Sequence, residues 1–169
     1  MSQIDFDVLY KNHAQEVYNF LLRLCGDANL AEDILQDTFL KAMEKVDKFD
    51  NRCKVTSWLC QIAKNTYFDY LRKKQKYNYT SLQEYNSHMK SPSPEEKLLD
   101  SEEAKEIRKM VHQLPEPYKE VFLLRVYAEL PFKEIGHIFG KTEVWGRVTY
   151  MRSKDMIIRM MNNGRKTNY

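Results

Sequence analysis

The chain is 169 residues long, 30% charged and 43% apolar, with a formal net charge of +3. That balance excludes an intrinsically disordered chain, and without a run of about 18 apolar residues no membrane-spanning helix is expected. The length admits one medium domain or two small ones, and five Gly and five Pro against many Leu, Met, Lys and Glu predict an all-α chain.

Phe6, Leu9, Tyr10, His13, Val17, Phe20, Leu21 and Leu24 recur at spacings of three and four, the stripe of one amphipathic helix. Gly26 offers its C-cap. Asp27 or Asn29 can open a second helix, with Leu30, Ala31, Ile34, Leu35, Thr38, Phe39, Ala42, Met43 and Val46 facing inward. Its opposite face carries Glu32, Asp33, Gln36, Asp37 and Lys41. A polar connector, 47–54, leads to a third helix that Thr56 or Ser57 can cap. Its inward positions are Trp58, Leu59, Ile62, Ala63, Tyr67, Tyr70 and Leu71, and it ends in Arg72-Lys73-Lys74-Gln75-Lys76. Cations there suit the helix dipole and gather positive charge at one end of a bundle.

Residues 77–94 lack helical period and read as linker. From Glu95 the chain is helical again, with an apolar face of Leu98, Leu99, Ile107, Met110, Val111 and Leu114. Pro115 and Pro117 break it, and Pro117 suits the first turn of a helix holding Val121, Phe122, Leu124 and Val126. Residues 131–140 read as a short helix closed at Gly140, with Lys133 and Glu134 on its surface. Thr142 can cap a last helix that runs to about Met161. Short helix, glycine turn and second helix is helix-turn-helix spacing.

The small net charge conceals a sorted distribution. Acids crowd at Glu32, Asp33 and Asp37 and again over 95–106, and bases crowd over 72–76 and 147–166. Charge sorted along a chain points to different partners for different faces. Cys25, Cys53 and Cys60 form no CxxC pair, and His13, His88, His112 and His137 are scattered, so neither set has metal-ligand spacing. The cysteines read as reduced core or surface thiols of a cytoplasmic protein and His137 as a surface or part-buried residue, with no metal or cofactor expected. The acidic start Met-Ser-Gln-Ile-Asp-Phe-Asp is unlike a signal peptide.

Three stretches carry a family resemblance. Ala31-Glu32-Asp33-Ile34-Leu35-Gln36-Asp37-Thr38-Phe39-Leu40-Lys41-Ala42 resembles the region 2 helix of bacterial sigma factors. Ser57-Trp58-Leu59-Cys60-Gln61-Ile62-Ala63-Lys64-Asn65 with Asp69-Tyr70-Leu71-Arg72 resembles the "WL-x-x-IA-x-N … D-x-x-R" segment of the extracytoplasmic-function (ECF) subfamily of the sigma-70 family. Leu114-Pro115, Val121 to Arg125 and Phe132-Lys133-Glu134-Ile135 resemble the start of region 4, so the match spans nearly the whole chain in order.

The resemblance implies a dissociable subunit of RNA polymerase with no catalytic site of its own. It implies an all-α fold of two small helical domains: a region 2 bundle over 1–76 and a region 4 helix-turn-helix over 101–169, joined by a flexible linker over 77–100. Polymerase docking on the clamp falls to Asp33, Gln36, Asp37, Phe39 and Lys41, and region 4 would dock on the flap. Capture of the melted −10 element falls to Asn51, Arg52, Lys54 and Thr56 of the connector, and to Lys64, Asn65, Tyr67, Arg72, Lys73 and Lys74. The residue types fit, since single strands are held by cations with aromatic platforms, and a loop with donors and acceptors suits a flipped base. Duplex −35 reading falls to Thr142, Glu143, Trp145, Arg147, Tyr150, Arg152 and Lys154. That last helix departs from the family's pattern at Trp145, where a small residue is usual, and at Gly146, where an apolar core residue is usual. An anti-sigma factor is implied as a partner by the resemblance alone.

Two other readings fit parts of the chain. A free-standing transcription regulator would use the helix-turn-helix on duplex operators and the N-terminal helices to dimerise, but has no need of the basic-aromatic segment 64–76. A metal-dependent nuclease acting through Asp33 and Asp37 lacks a third carboxylate in step.

Overall fold

The computed structural model describes residues 5–78 and 101–166, which are helical throughout apart from their connections. Asp5 caps α1 (Phe6–Cys25) by accepting from the Asp7 N–H at 3.0 Å, and Gly26 ends it in the left-handed conformation at φ 69°, donating to the Leu22 carbonyl. Asp27 caps α2 (Ala28–Lys45), accepting from the Leu30 N–H at 3.2 Å. A 3-10 turn, Val46–Lys48, leads into the connector, and α3 (Val55–Asn78) follows. Tyr77 is thus helical rather than part of a linker.

Ser101 caps α4 (Glu102–Gln113) by accepting from the Ala104 N–H at 3.1 Å. The helical turn expected from Glu95, with Leu98 and Leu99, lies outside the described residues. Next come α5 (Tyr118–Phe122), its π-helical continuation Leu123–Tyr127, α6 (Phe132–Phe139) and α7 (Glu143–Lys166). Gly140 closes α6 at φ 64°, and the Thr142 hydroxyl caps α7 by accepting from the Trp145 N–H at 3.1 Å. The expected helix-turn-helix is therefore α6–Gly140–α7.

In the first half, α1, α2 and α3 form a bundle around Val17, Phe20, Leu21, Leu24, Ala31, Ile34, Phe39, Leu59 and Ala63. In the second, α4 to α7 enclose Val111, Leu114, Val121, Leu123, Leu124, Ile135 and Ile157. Two stripe residues are corrected: Tyr10 of α1 is 41% exposed, and Met43, at the edge of the α2 stripe, is 48% exposed. Gly146, where the sequence pattern asks for an apolar residue, is buried because α7 crosses α6 there at backbone distance. A Cβ on Gly146 would sit 3.2 Å from the Phe132 carbonyl oxygen, and one on Gly136 2.8 Å from that of Thr142. Close approach, not side-chain volume, fills the space at this crossing. Among the described residues no helix is long and apolar enough to cross a membrane.

The two halves touch each other. Arg23 on α1 donates to the Tyr127 carbonyl at 2.9 Å, and Arg108 on α4 donates to the Arg23 carbonyl at 3.3 Å. The Tyr67 ring of α3 lies 5.8 Å from the His112 imidazole of α4.

Candidate nucleic-acid interface

On α2 the exposed line is Asp33, Gln36, Asp37, Leu40 and Met43. Phe39, assigned to docking from the sequence, is 2% exposed and packs edge-on against Phe6 and Tyr10, so it belongs to the core. Lys41 is half-buried and donates to the Thr66 hydroxyl of α3 at 3.3 Å, so it ties two helices together instead of facing outward. Leu40, 59% exposed, and Met43 take their place. Leu40 was detectable in the sequence, since it sits four residues after Gln36 on the polar line rather than on the core stripe.

The connector turns on Asn51, a non-glycine residue at φ 58°. Asp50 closes the turn across Asn51, pairing with Arg52 at 2.7 Å and accepting from the Arg52 N–H at 3.2 Å. Asn51, Arg52 and Lys54 are exposed, as are Asn65, Arg72, Lys73 and Lys74 along α3. Arg72 is paired with Asp69 one turn earlier, and the Lys74 ammonium lies 6.0 Å from the Tyr70 ring centre. These cations and the connector lie at opposite ends of α3.

Three other residues assigned to the same surface are not available in this arrangement. The Lys64 side chain is 2% exposed and ion-pairs with Glu120 of α5. Tyr67 is 5% exposed, and burial pushes its phenol well above the ordinary range. Thr56 does not cap α3: its hydroxyl hydrogen-bonds with His13 Nδ1 at 3.0 Å. The α3 N-terminus is capped from the other half of the molecule. Glu134 of α6 accepts from the Lys54 N–H at 3.0 Å and from the Ser57 hydroxyl at 3.2 Å. A carboxylate placed there meets the positive end of the helix dipole as well as two donors. Glu134 was expected on the surface and is 9% exposed for this reason.

The seam between the halves thus sets two acids of the second half, Glu120 and Glu134, against donors of the first. A cleft of about 470 Å³ follows it, with Arg23, Lys54 and Ser57 on one wall and Glu129 and Glu134 on the other. The pairing of distant charges that makes this seam leaves no periodic trace in the sequence.

On α7 the assigned readers divide. Glu143, Arg147, Arg152 and Lys154 are exposed, with Arg147 paired to Glu143 at 3.2 Å. Thr142 is exposed and occupied as the cap. Trp145 and Tyr150 turn toward the domain: Trp145 packs on Phe139 at 5.2 Å, and Tyr150 lies between Phe122 at 6.1 Å and Phe132 at 5.5 Å. Their places on the outer face are held by Val144, Val148 and Met151, which sequence reasoning passed over.

Burial pushes the Cys25 and Cys60 thiols up to about 12, with Asp27 adding to the effect at Cys25 and Glu16 at Cys60. Cys53 is also raised, by burial and then by Glu134 and Asp50. All three stay protonated at neutral pH and offer no thiolate nucleophile. Among the described residues no group of three His, Cys, Asp or Glu side chains is arranged to hold a metal.

Two family descriptions match the chain in order: Sigma-70 region 2 over residues 9–77, and Sigma-70, region 4 over residues 104–152. The ECF RNA polymerase sigma factor SigM of Bacillus subtilis (strain 168) is 32% identical over 94% of this chain and 96% of its own length. SigW of the same organism, also described as an ECF RNA polymerase sigma factor, is 30% identical over 78% of this chain and 74% of its own. Among solved structures, the sigma factor RpoE from Bartonella quintana, in complex with the anti-sigma factor NepR, matches with a TM-score of 0.62 at 20% identity, over 94% of this chain and 97% of that one. CnrH, in complex with the cytosolic domain of CnrY, matches with a TM-score of 0.61 at 17% identity, over 94% and 88%.

Proposed function

Because this chain belongs to the ECF sigma factors of the sigma-70 family, and so directs RNA polymerase to promoters, we propose how its residues divide that work. The outer line of α2, Asp33, Gln36 and Asp37 with Leu40 and Met43, docks on the polymerase clamp. An apolar pair beside acids is a stronger anchor than acids alone, since exposed charges contribute little while burial of Leu and Met side chains is worth roughly 1.5–3 kcal/mol each. The connector residues Asn51, Arg52 and Lys54, with Asn65, Arg72, Lys73 and Lys74, hold the opened −10 strand, and α7 reads the −35 duplex.

Lys64 and Tyr67 join the −10 surface only when the halves part, whereas Thr56 is held by His13 of α1 within its own half. The observation that carries this reading is the burial of Lys64, a basic residue of the promoter-binding segment, under an acid of the second half. In the closed chain, Glu120 and Glu134 hold donors that nucleic acid would use. A partner that binds the two halves at separate places favours the parted state by its differential affinity, and core polymerase with a clamp and a flap is such a partner.

Nucleotidyl transfer belongs to the polymerase, and this chain contributes recognition and strand capture in the cytoplasm. An anti-sigma factor, the kind of partner that RpoE carries in its complex, would act by holding the closed arrangement or covering α2.

Run-off transcription with purified core polymerase on a random promoter library tests the reading. Discrete RNA start points that depend on this chain are expected. Specific binding of duplex operators without polymerase, and no initiated RNA, would overturn it in favour of a free-standing regulator.

A further inference from the structure

The outward ridge of α7 is apolar. Gly146, Thr149, Ser153 and Ile157 turn inward. At about 100° per residue, the opposite direction holds Val144, Val148 and Met151, which are 63%, 42% and 56% exposed. None of the three belongs to the buried core. Cations stand on both sides of the ridge: Arg147 and Lys154 on one flank, Arg152 on the other, all exposed. Asp155 continues the ridge line after Met151, where an anionic partner would no longer be in contact.

A helix with this section fits the major groove. Its flanking cations meet the two phosphate rows, and its ridge meets the base edges. Valine and methionine cannot supply the paired donors and acceptors that read guanine or adenine. The feature of the groove they match is the thymine C5-methyl. Resting on the −35 role given to α7 above, we propose that Val144, Val148 and Met151 select −35 elements by burying thymine methyl groups. Arg147, Arg152 and Lys154 supply the sequence-independent attraction. This assigns specificity to apolar contact, and it explains how the helix functions although Trp145 and Tyr150 face inward.

The test uses holoenzyme reconstituted with the full chain and promoters recovered from the random library. Each thymine of the −35 element is replaced in turn by deoxyuridine, which removes only the methyl group. The wild-type protein should lose about fourfold in initiation at one or more of these positions, the factor that burial of a single CH₂-sized group supplies. Val148→Ala and Met151→Ala should lower initiation on the thymine template and abolish the difference between thymine and deoxyuridine. Deoxyuridine templates that all work as well as thymine overturn the proposal, as do recovered −35 elements without thymine. Equal loss on both templates in Val148→Ala and Met151→Ala also overturns it, and makes the ridge a protein contact. In each of those cases RNA is still made and the sigma reading stands. Absence of RNA from every promoter removes that reading and this proposal together.

Discussion

The ammonium of Lys64 on α3 is sealed from solvent by the carboxylate of Glu120 on α5, 56 positions later in the chain. Breaking a buried ion pair by removing one partner costs about 3–5 kcal/mol, because the remaining charge stays desolvated. Here the lysine has an escape that a core lysine lacks: the halves can part and hydrate it. Glu120 itself is 26% exposed, so the lower end of that range applies. Glu120→Gln combined with Glu134→Gln, which also weakens the cap on Lys54 and Ser57, should therefore enlarge the chain more than unfold it. Small-angle scattering should give a larger radius of gyration, with helicity by circular dichroism retained. The exchange Lys64→Glu with Glu120→Lys should stay compact. Scattering curves that coincide for all three proteins would sink the idea that these acids close the molecule.

Most of the fold was legible because it rests on local signals. The stripes of α1 and α2, the Gly26 and Gly140 stops, and the Asp27 and Thr142 caps act within one or two turns, and sequence order reports them directly. The cap of α3 was misread because its carboxylate arrives from Glu134, 80 positions away from Lys54, and no periodicity encodes that. Phe39 and Lys41 were misassigned for a different reason: a family motif records which residue types recur, not which side of the helix they occupy. At Gly146 a departure from pattern was visible, but its cause, a backbone crossing at Phe132, exists only in three dimensions.

Adjacent residues on α2 should separate the proposed docking from stability. Leu40 is 59% exposed and Phe39 is 2% exposed. Leu40→Glu should weaken co-purification with core polymerase and leave the thermal midpoint within a few degrees of wild type. Asp37→Arg should do the same by charge reversal. Phe39→Ala should instead cost about 3–5 kcal/mol of stability through the cavity it leaves beside Phe6 and Tyr10. Undiminished co-purification of Leu40→Glu and Asp37→Arg would remove α2 from the docking surface.

The α6–α7 crossing sets helix propensity against space. Alanine in place of a mid-helix glycine is favourable by about 1 kcal/mol where nothing obstructs it. At Gly136 the new Cβ would lie 2.8 Å from the Thr142 carbonyl and 2.9 Å from that of Lys141, both backbone atoms of the turn, so the turn itself must move. At Gly146 the nearest atom is 3.2 Å away, a gap that a few tenths of an ångström of movement relieves. Gly136→Ala should therefore lower the urea midpoint clearly, while Gly146→Ala should leave it close to wild type. Equal stability of both variants would refute close approach as the reason for the glycines.

His112 should make the seam sensitive to acid. Its Nε2 is buried without a hydrogen-bond partner, beside the Tyr67 and Phe68 rings of α3. Burial lowers its pKa below the ordinary 6.5, and the Lys119 and Arg108 cations lower it further, against a backbone hydrogen bond at Arg108 that raises it. The folded chain thus refuses a proton that the parted or unfolded chain accepts. Stability from this group is fully present above pH 6.5 and is lost as pH falls from there through the depressed value. Glu116, raised above 4.5 by burial and by Glu120, works in the opposite direction, gaining stability as it protonates. Between pH 7.5 and 5.5 the urea midpoint of the wild type should fall, and His112→Phe, which keeps the ring contacts and removes the titration, should flatten that part of the profile. An unchanged slope in His112→Phe would assign the acid sensitivity to other groups.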